Sequence, residues 1–347
     1  MSSVLCWVWG CAAPAPAPHG CDLSGSHLLV ATTDFQVGAL AAIDLQTGCV
    51  ADRLASVGPD PLVRMLDASV VVASRGQGDT VWRFDPGVYD RPIAEFVPQV
   101  AGNVHDVVQI GEALWLTLYE EPHLQVTDLW GAPLGTVPLG DHADADGIPE
   151  ADRAVVVDGV LHVALQRLDR GGGGLWPAAG PGRLIAVDPV SWTELGWFAL
   201  GDNPRLVPGD PLRALTGVFG APDGAEVAID LVAGAVVETG LAEADAGLDF
   251  GVAAGGVVAA HSFAPDQQAF ALLCDGGAAR LDVDGWPIAL IEADGAVYAA
   301  VRGVGGAVIS EVWRVDPETC AIEVVAADLA FSPYGLAFVR GVGHSGP

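Results

Sequence analysis

The chain has 347 residues, 51% of them hydrophobic, and a formal charge of -29 from 44 acidic and 15 basic residues. Phosphate neutralisation supplies most nucleic-acid affinity, so this balance excludes DNA and RNA as partners and favours cations, or simply a soluble, monomeric protein. With 45 glycines and 24 prolines set between short apolar runs, a mainly helical chain is excluded as well.

Residues 1–21 form a leader of their own. The apolar MSSVLCWVWG is followed by Cys11 and by AAPAPAP, a stiff, extended composition. This resembles a bacterial lipoprotein signal, in which a small residue, here Gly10, precedes a cysteine that becomes the lipidated first residue. The resemblance implies export and a lipid anchor at Cys11, so that membrane contact comes only through that anchor.

Residues 22–347 read as one domain built from a repeat. A short apolar run ends in aspartate and a turn at Asp44, Asp85, Asp128, Asp188, Asp230, Asp275 and Asp316, with spacings of 41 to 60 residues. Such a period marks one supersecondary unit repeated. PLVRMLD, SVVVASRG, TVWRFDPG and PIAEFVP (61–98) show four short β-rich runs, the content of one propeller blade. HDVVQIG to LGTVPL, ADRAVVVDG to ELGWFAL and PIALIEADG to AIEVVAADL repeat it, and the segments around AEVAID and FALLCD do so more weakly. Each recurring Asp closes a third strand, where its carboxylate can accept amide bonds from the following turn, so the seven are structural.

The ends complement each other. HLLVATT, LAAIDLQ and VADRLAS supply only three strands near the start, and SPYGLAFVRG (332–341) has the form of an innermost strand with no blade after it. Together they make one blade and close an all-β, seven-bladed propeller of four-stranded antiparallel sheets without exposed edges. The pattern resembles the bacterial YncE and YVTN-type propellers, which implies this fold and an extracytoplasmic setting, periplasm or cell surface, and transfers no catalytic residue. In an exported chain Cys21, Cys49, Cys274 and Cys320 are expected to form two disulfides; pairing Cys21 with Cys49 and Cys274 with Cys320 keeps each within one blade or between neighbours.

In a four-stranded blade the connection into the first strand and that between the second and third open on one face. Sorting by that rule gathers His105, Asp106, Glu121, His123, residues 141–152, Gln166, Arg167 and Asp169 on a single face of blades 3 and 4. Within DHADADGIPEAD (141–152), Asp144, Asp146, Glu150 and Asp152 could converge on Ca²⁺; Asp144, Asp146 and Gly147 match EF-hand positions, but His142 and Arg153 occupy its first and last, so this is no EF-hand, and a solvated acidic turn is the alternative. His105, His123 and His142 would suit Cu²⁺ or Zn²⁺, whereas His162 and His261 read as structural. Asp106, Glu121, Gln166, Arg167 and Asp169, with Trp176 in the glycine-rich insertion 168–182, are candidate ligand contacts.

No GxSxG elbow, phosphate loop or dinucleotide fingerprint is present. The expectation is a non-enzymatic binder of a protein, glycan or metal ion. The alternatives are a lactonase-like metal-dependent hydrolase or lyase at the channel mouth with His105 or Glu150 as base, and a copper or zinc protein using the loop histidines.

Overall fold

The computed structural model describes residues 20–75, 78–170, 177–217, 224–242, 248–264, 267–304 and 309–341. Cys11 and Trp176 lie outside the described residues. The described strands run in chain order as β1 (His27–Thr33), β2 (Gly38–Asp44), β3 (Val50–Val57), β4 (Pro61–Met65), β5 (Val70–Ser74), β6 (Val81–Phe84), β7 (Ala94–Phe96), β8 (Val104–Ile110), β9 (Ala113–Leu118), β10 (His123–Asp128), β11 (Pro133–Pro138), β12 (Ala151–Val157), β13 (Val160–Leu165) and β14 (Gly182–Asp188). The second half continues with β15 (Thr193–Gly201), β16 (Arg205–Val207), β17 (Arg213–Leu215), β18 (Ala225–Asp230), β19 (Ala235–Ala242), β20 (Asp249–Ala254), β21 (Val257–Ala264), β22 (Gln267–Cys274), β23 (Ala279–Val283), β24 (Trp286–Ala293), β25 (Ala296–Arg302), β26 (Ser310–Val315), β27 (Ile322–Ala326) and β28 (Ser332–Val339). They form seven four-stranded antiparallel sheets, the blades of a propeller. The first blade has the order β28-β1-β2-β3, so the C-terminal strand closes the ring, pairing His27 with Val339.

Why the apolar runs are continuous rather than alternating follows from the packing. Every residue of β1 and β2 is buried, because each sheet is covered on both sides by its neighbours. Leu29, Ala31, Leu40 and Ala42 pack against Val63, Val70, Val72 and Phe84 of the second blade. Leu28, Val30, Ala41 and Ile43 point the other way, against Ala296, Tyr298 and Ala300 of the seventh. Each fully buried leucine or isoleucine of these layers contributes about 1.5–3 kcal/mol of burial free energy.

The recurring aspartates act as expected in five blades. Asp44 accepts the amides of Gln46 and Thr47, Asp128 those of Trp130 and Ala132, Asp188 that of Val190, Asp230 those of Val232 and Ala233, and Asp316 those of Glu318 and Thr319. Both expected disulfides are present: Cys21 with Cys49, across a separation of 28 residues, and Cys274 with Cys320, across 46. The first ties the N-terminal segment to the turn after β2, and the second joins the sixth and seventh blades. Such bonds belong to a chain that folds in an oxidising, extracytoplasmic compartment. Among the described residues no helix is long and apolar enough to cross a membrane.

Candidate functional site

The innermost strands β4, β8, β12, β16, β20, β24 and β28 surround a central cavity of about 1410 Å³. Five of them break register near that cavity: the ladder shifts between Val104 and Asp106, Ala151 and Ala154, Phe250 and Val252, and Pro287 and Ala289, and in β28 the extra residue against β1 is Tyr334. A bulge inserts one unpaired residue and re-aims side chains, and it is a recurrent device beside functional sites. Here it lets His105, Asp152, Arg153 and Tyr334 line the cavity.

Blades 3, 4 and 5 present the central group from equivalent positions. Asn103, Glu150 and Asn203 adopt left-handed φ of 59°, 48° and 41°, and two residues after each comes His105, Asp152 or Arg205. His105 Nδ1 donates to Asp152 Oδ1 at 3.0 Å, and Arg205 Nε donates to Asp152 Oδ2 at 3.4 Å. The Thr117 hydroxyl fixes the Asp152 carbonyl at 2.7 Å. Burial of Asp152 works against its ionisation, but Arg205 and the His105 hydrogen bond outweigh it and hold the carboxyl well below the usual carboxylate range. Burial also depresses His105, against the pull of Asp152, so its imidazole is neutral at pH 7. With Nδ1 committed, Nε2 makes no hydrogen bond among the described residues and is free to accept one.

Around this group the walls are ordered. Tyr119 stacks on His105, with ring centroids 3.9 Å apart and planes inclined by 15°, and its hydroxyl donates to Gln166 Oε1 at 2.6 Å. Gln166 Nε2 reaches the Pro204 carbonyl. Arg170 lies over the Tyr119 ring at 5.3 Å and pairs with Glu150 at 2.8 Å. Across the channel Arg75 donates to Asp60 at 2.6 Å and to the Tyr334 hydroxyl at 2.9 Å. Below, Asp106 accepts Arg64 Nε at 2.6 Å, the Val107 amide at 2.9 Å and the Ala154 amide at 3.1 Å. His261, expected to be structural, also lines the cavity beside Trp286; burial and then Arg205 bring its pKa down to about 4.

Of the residues singled out from sequence, His105, Asp106, Asp152 and Gln166 line the cavity. Glu150 is fully buried beside it, accepting Leu168 N at 2.9 Å as well as Arg170. Burial raises its pKa to about 7, the Leu168 amide and Arg170 acting against that shift. Committed in this way and outside the cavity lining, Glu150 is not placed as a channel-mouth base.

The acidic loop does not converge. Asp144 Oδ1 accepts the Asp146 amide and Asp146 Oδ1 the Ile148 amide, ordinary turn bonds, while the left-handed turn at Glu150 and the bulge after it carry Asp152 inward to His105 and Arg205. The three histidines are likewise separate. His123 starts a third strand, 3.9 Å from Glu121. His142 is buried on the outer side of blade 4, between Glu194 at 2.7 Å and Arg183 at 2.9 Å. Among the described residues no group of three or more His, Cys, Asp or Glu is placed to hold a metal ion. Arg167 bonds the Pro181 carbonyl and Asp169 is exposed, neither lining the cavity.

Sequence reasoning missed Arg205, Arg75, Asp60, Tyr119, Arg64, Arg153 and Tyr334. The parallel of NVH (103–105) with NPR (203–205) was the available signal.

No protein-family model matches the chain, and no curated protein matches its sequence. Solved structures do resemble it. A Bacteroides uniformis protein proposed to be a 6-phosphogluconolactonase is 15% identical, with a TM-score of 0.62 over 91% of this chain and 100% of its own. A protein from Lactobacillus plantarum gives 0.63 at 14% identity, over 91% and 99%. AztD from Citrobacter koseri gives 0.52 at 12% identity, over 92% and 99%. At such identities the likeness shows the fold alone.

Proposed function

We propose that this protein is an exported, non-enzymatic binding propeller that takes a small polar or glycan-like ligand at the channel mouth and is tethered to the membrane through lipidated Cys11. The observation that supports it is the His105–Asp152–Arg205 group, delivered by equivalent positions of three consecutive blades and opening on a cavity of about 1410 Å³. Polar groups held by neighbouring side chains and facing a concave, partly apolar space are what a specific small-ligand site requires. Tyr119, stacked on His105 with Arg170 over its ring, holds in place the imidazole that faces the cavity. The acidity of the chain and the engagement of Asp152 by Arg205 and His105 favour polar recognition over a bare cation site.

The test is a screen of neutral sugars, polyols and glycans by thermal shift and calorimetry on the mature chain. A ligand whose affinity falls at least tenfold in His105→Ala and in Tyr119→Ala supports the reading; a ligand indifferent to both removes it, as does the failure of neutral and anionic ligands alike. Mass spectrometry of the membrane-extracted protein tests the anchor, which requires a diacylglyceryl mass on Cys11.

One observation favours a second reading. A neutral imidazole oriented by a buried carboxylate, with its second nitrogen uncommitted, is the arrangement of a general base. A hydrolase would use His105 to activate water against a lactone or ester. Turnover of a lactone panel by wild type and its loss in His105→Gln would replace the binding reading with this one.

A further inference from the structure

Around Arg153, next to the His105–Asp152–Arg205 group, the cavity wall holds one more guanidinium than carboxylates to pair with it. Arg64, Arg153 and Arg205 face Asp106 and Asp152, three guanidinium groups against two carboxylates. Arg75 and Asp60, the next pair up the channel, cancel each other. In a chain of charge -29 with only 15 basic residues, this local excess is not an accident of composition.

The hydrogen-bonding capacity is equally unbalanced. Asp106 accepts Arg64 Nε and two backbone amides. Arg64 Nη2 is nevertheless buried with no partner, and so is Arg75 Nε. Arg153, on the β12 bulge, lines the cavity and makes no hydrogen bond or ion pair with any described residue. Burial, and then the Arg64 charge beside it, lower its pKa to about 9. A buried or half-buried guanidinium left unpaired is costly, and its planar fork matches a carboxylate or phosphate.

We infer that Arg153 and Arg64 form an oxyanion subsite in the channel, which receives a carboxylate or phosphate group of the ligand bound at the mouth. This rests on the channel being the recognition site and adds the chemical class of the ligand: polar and anionic, its charged group directed inward past His105. The anion completes the third ion pair that the protein omits. Bulk negative charge on the protein slows the approach of polyanions, so the subsite suits a small ligand with one or two charges.

The experiment is calorimetric titration of the full chain with inorganic phosphate and with malonate in chloride-free buffer, beside erythritol as a neutral probe. Arg153→Gln is compared with Arg213→Gln, which alters an arginine paired to Glu226 at 2.8 Å outside the cavity. The expected result is stoichiometric binding of phosphate or malonate by wild type and Arg213→Gln, weakened at least tenfold in Arg153→Gln; whichever anion binds tighter identifies the head group. A second readout guards against misfolding. Without anion, Arg153→Gln melts at or above the wild-type temperature, and phosphate or malonate raises the melting temperature of wild type and Arg213→Gln but not of Arg153→Gln.

Equal anion affinity in wild type and Arg153→Gln, no anion binding by either, or a lower melting temperature for the anion-free variant would overturn the subsite. If neutral ligands still bind at the mouth while neither anion does, the subsite falls alone. If neutral and anionic ligands both fail, the channel reading falls with it.

Discussion

Asp152 is the group on which the channel mouth depends, and Asp152→Asn isolates its charge at nearly constant volume. The Arg205 Nε to Asp152 Oδ2 distance of 3.4 Å corresponds to a Coulomb term of about 5 kcal/mol at an effective dielectric constant of about 20. The Arg205 side chain is 17% exposed, and the asparagine dipole keeps part of the interaction, so a net loss of about 2–3 kcal/mol is expected at pH 7. An unfolding entropy of about 2.1 cal/mol/K per residue over a chain of this length converts that to a fall of about 3–4 °C in Tm. The pH dependence is the stricter check. Because the folded-state pKa of Asp152 is depressed, its stabilisation is complete above the unfolded value of about 3.9 and is lost as pH falls toward the folded value. The gap between wild type and variant, read by scanning calorimetry, is therefore constant from pH 5 to 8 and narrows by about 1 kcal/mol at pH 3. Equal melting temperatures at pH 7, or a gap that widens in acid, would refute the assignment of Asp152 as the anionic centre.

Three further outcomes are expected. Serine replacement of the Cys21–Cys49 pair should cost about 3.5 kcal/mol and of the Cys274–Cys320 pair about 4 kcal/mol in urea unfolding, from the entropy of loops closed over separations of 28 and 46 residues; losses below about 1 kcal/mol would show that the bonds do not form. Gly131→Ala, at φ 89° with a Cβ that would lie 2.1 Å from the Phe96 ring, should cost about 3 kcal/mol, against about 1 kcal/mol for Gly111→Ala, at φ 59° with nothing within 4 Å; similar values for both would refute that packing. The raised pKa of Glu150, about 7, makes its contribution full below the unfolded value and lost as pH rises through 7, so the stability difference between wild type and Glu150→Gln should fall from pH 5 to 8; a flat difference would refute the shift.

The architecture was legible because burial on both faces of a sheet writes itself into sequence. HLLVATT and GALAAID are continuous apolar runs since neither face of β1 or β2 meets water. The Asp at the end of the third strand has a local task in five blades, and such turn chemistry is visible without tertiary context. The channel was only half legible. His105 and Asp152 were found as polar residues on one predicted face, yet the partner that binds Asp152, Arg205, sits in a three-residue strand of one of the two weaker repeats, where no periodicity can be seen. Bulges are silent in sequence, so nothing in DHADADGIPEAD announced that Asp152 turns inward while Asp144 and Asp146 remain in the loop. The three loop histidines failed to meet because they belong to an inner strand, the start of a third strand and the outer side of a neighbouring blade, layers that a linear reading superimposes.

The position of β28 makes one wall of the channel depend on closure of the ring. Its Tyr334 hydroxyl is what Arg75 holds across the channel, and Arg75 lies 259 residues earlier in the chain. Until residues 332–339 arrive, the first blade has a bare inner edge and the channel lacks one wall. A chain lacking those residues therefore has an incomplete channel wall as well as an exposed, aggregation-prone sheet edge. On the proposed binding reading, a ligand in the channel would favour closed rings and hold β28 in place.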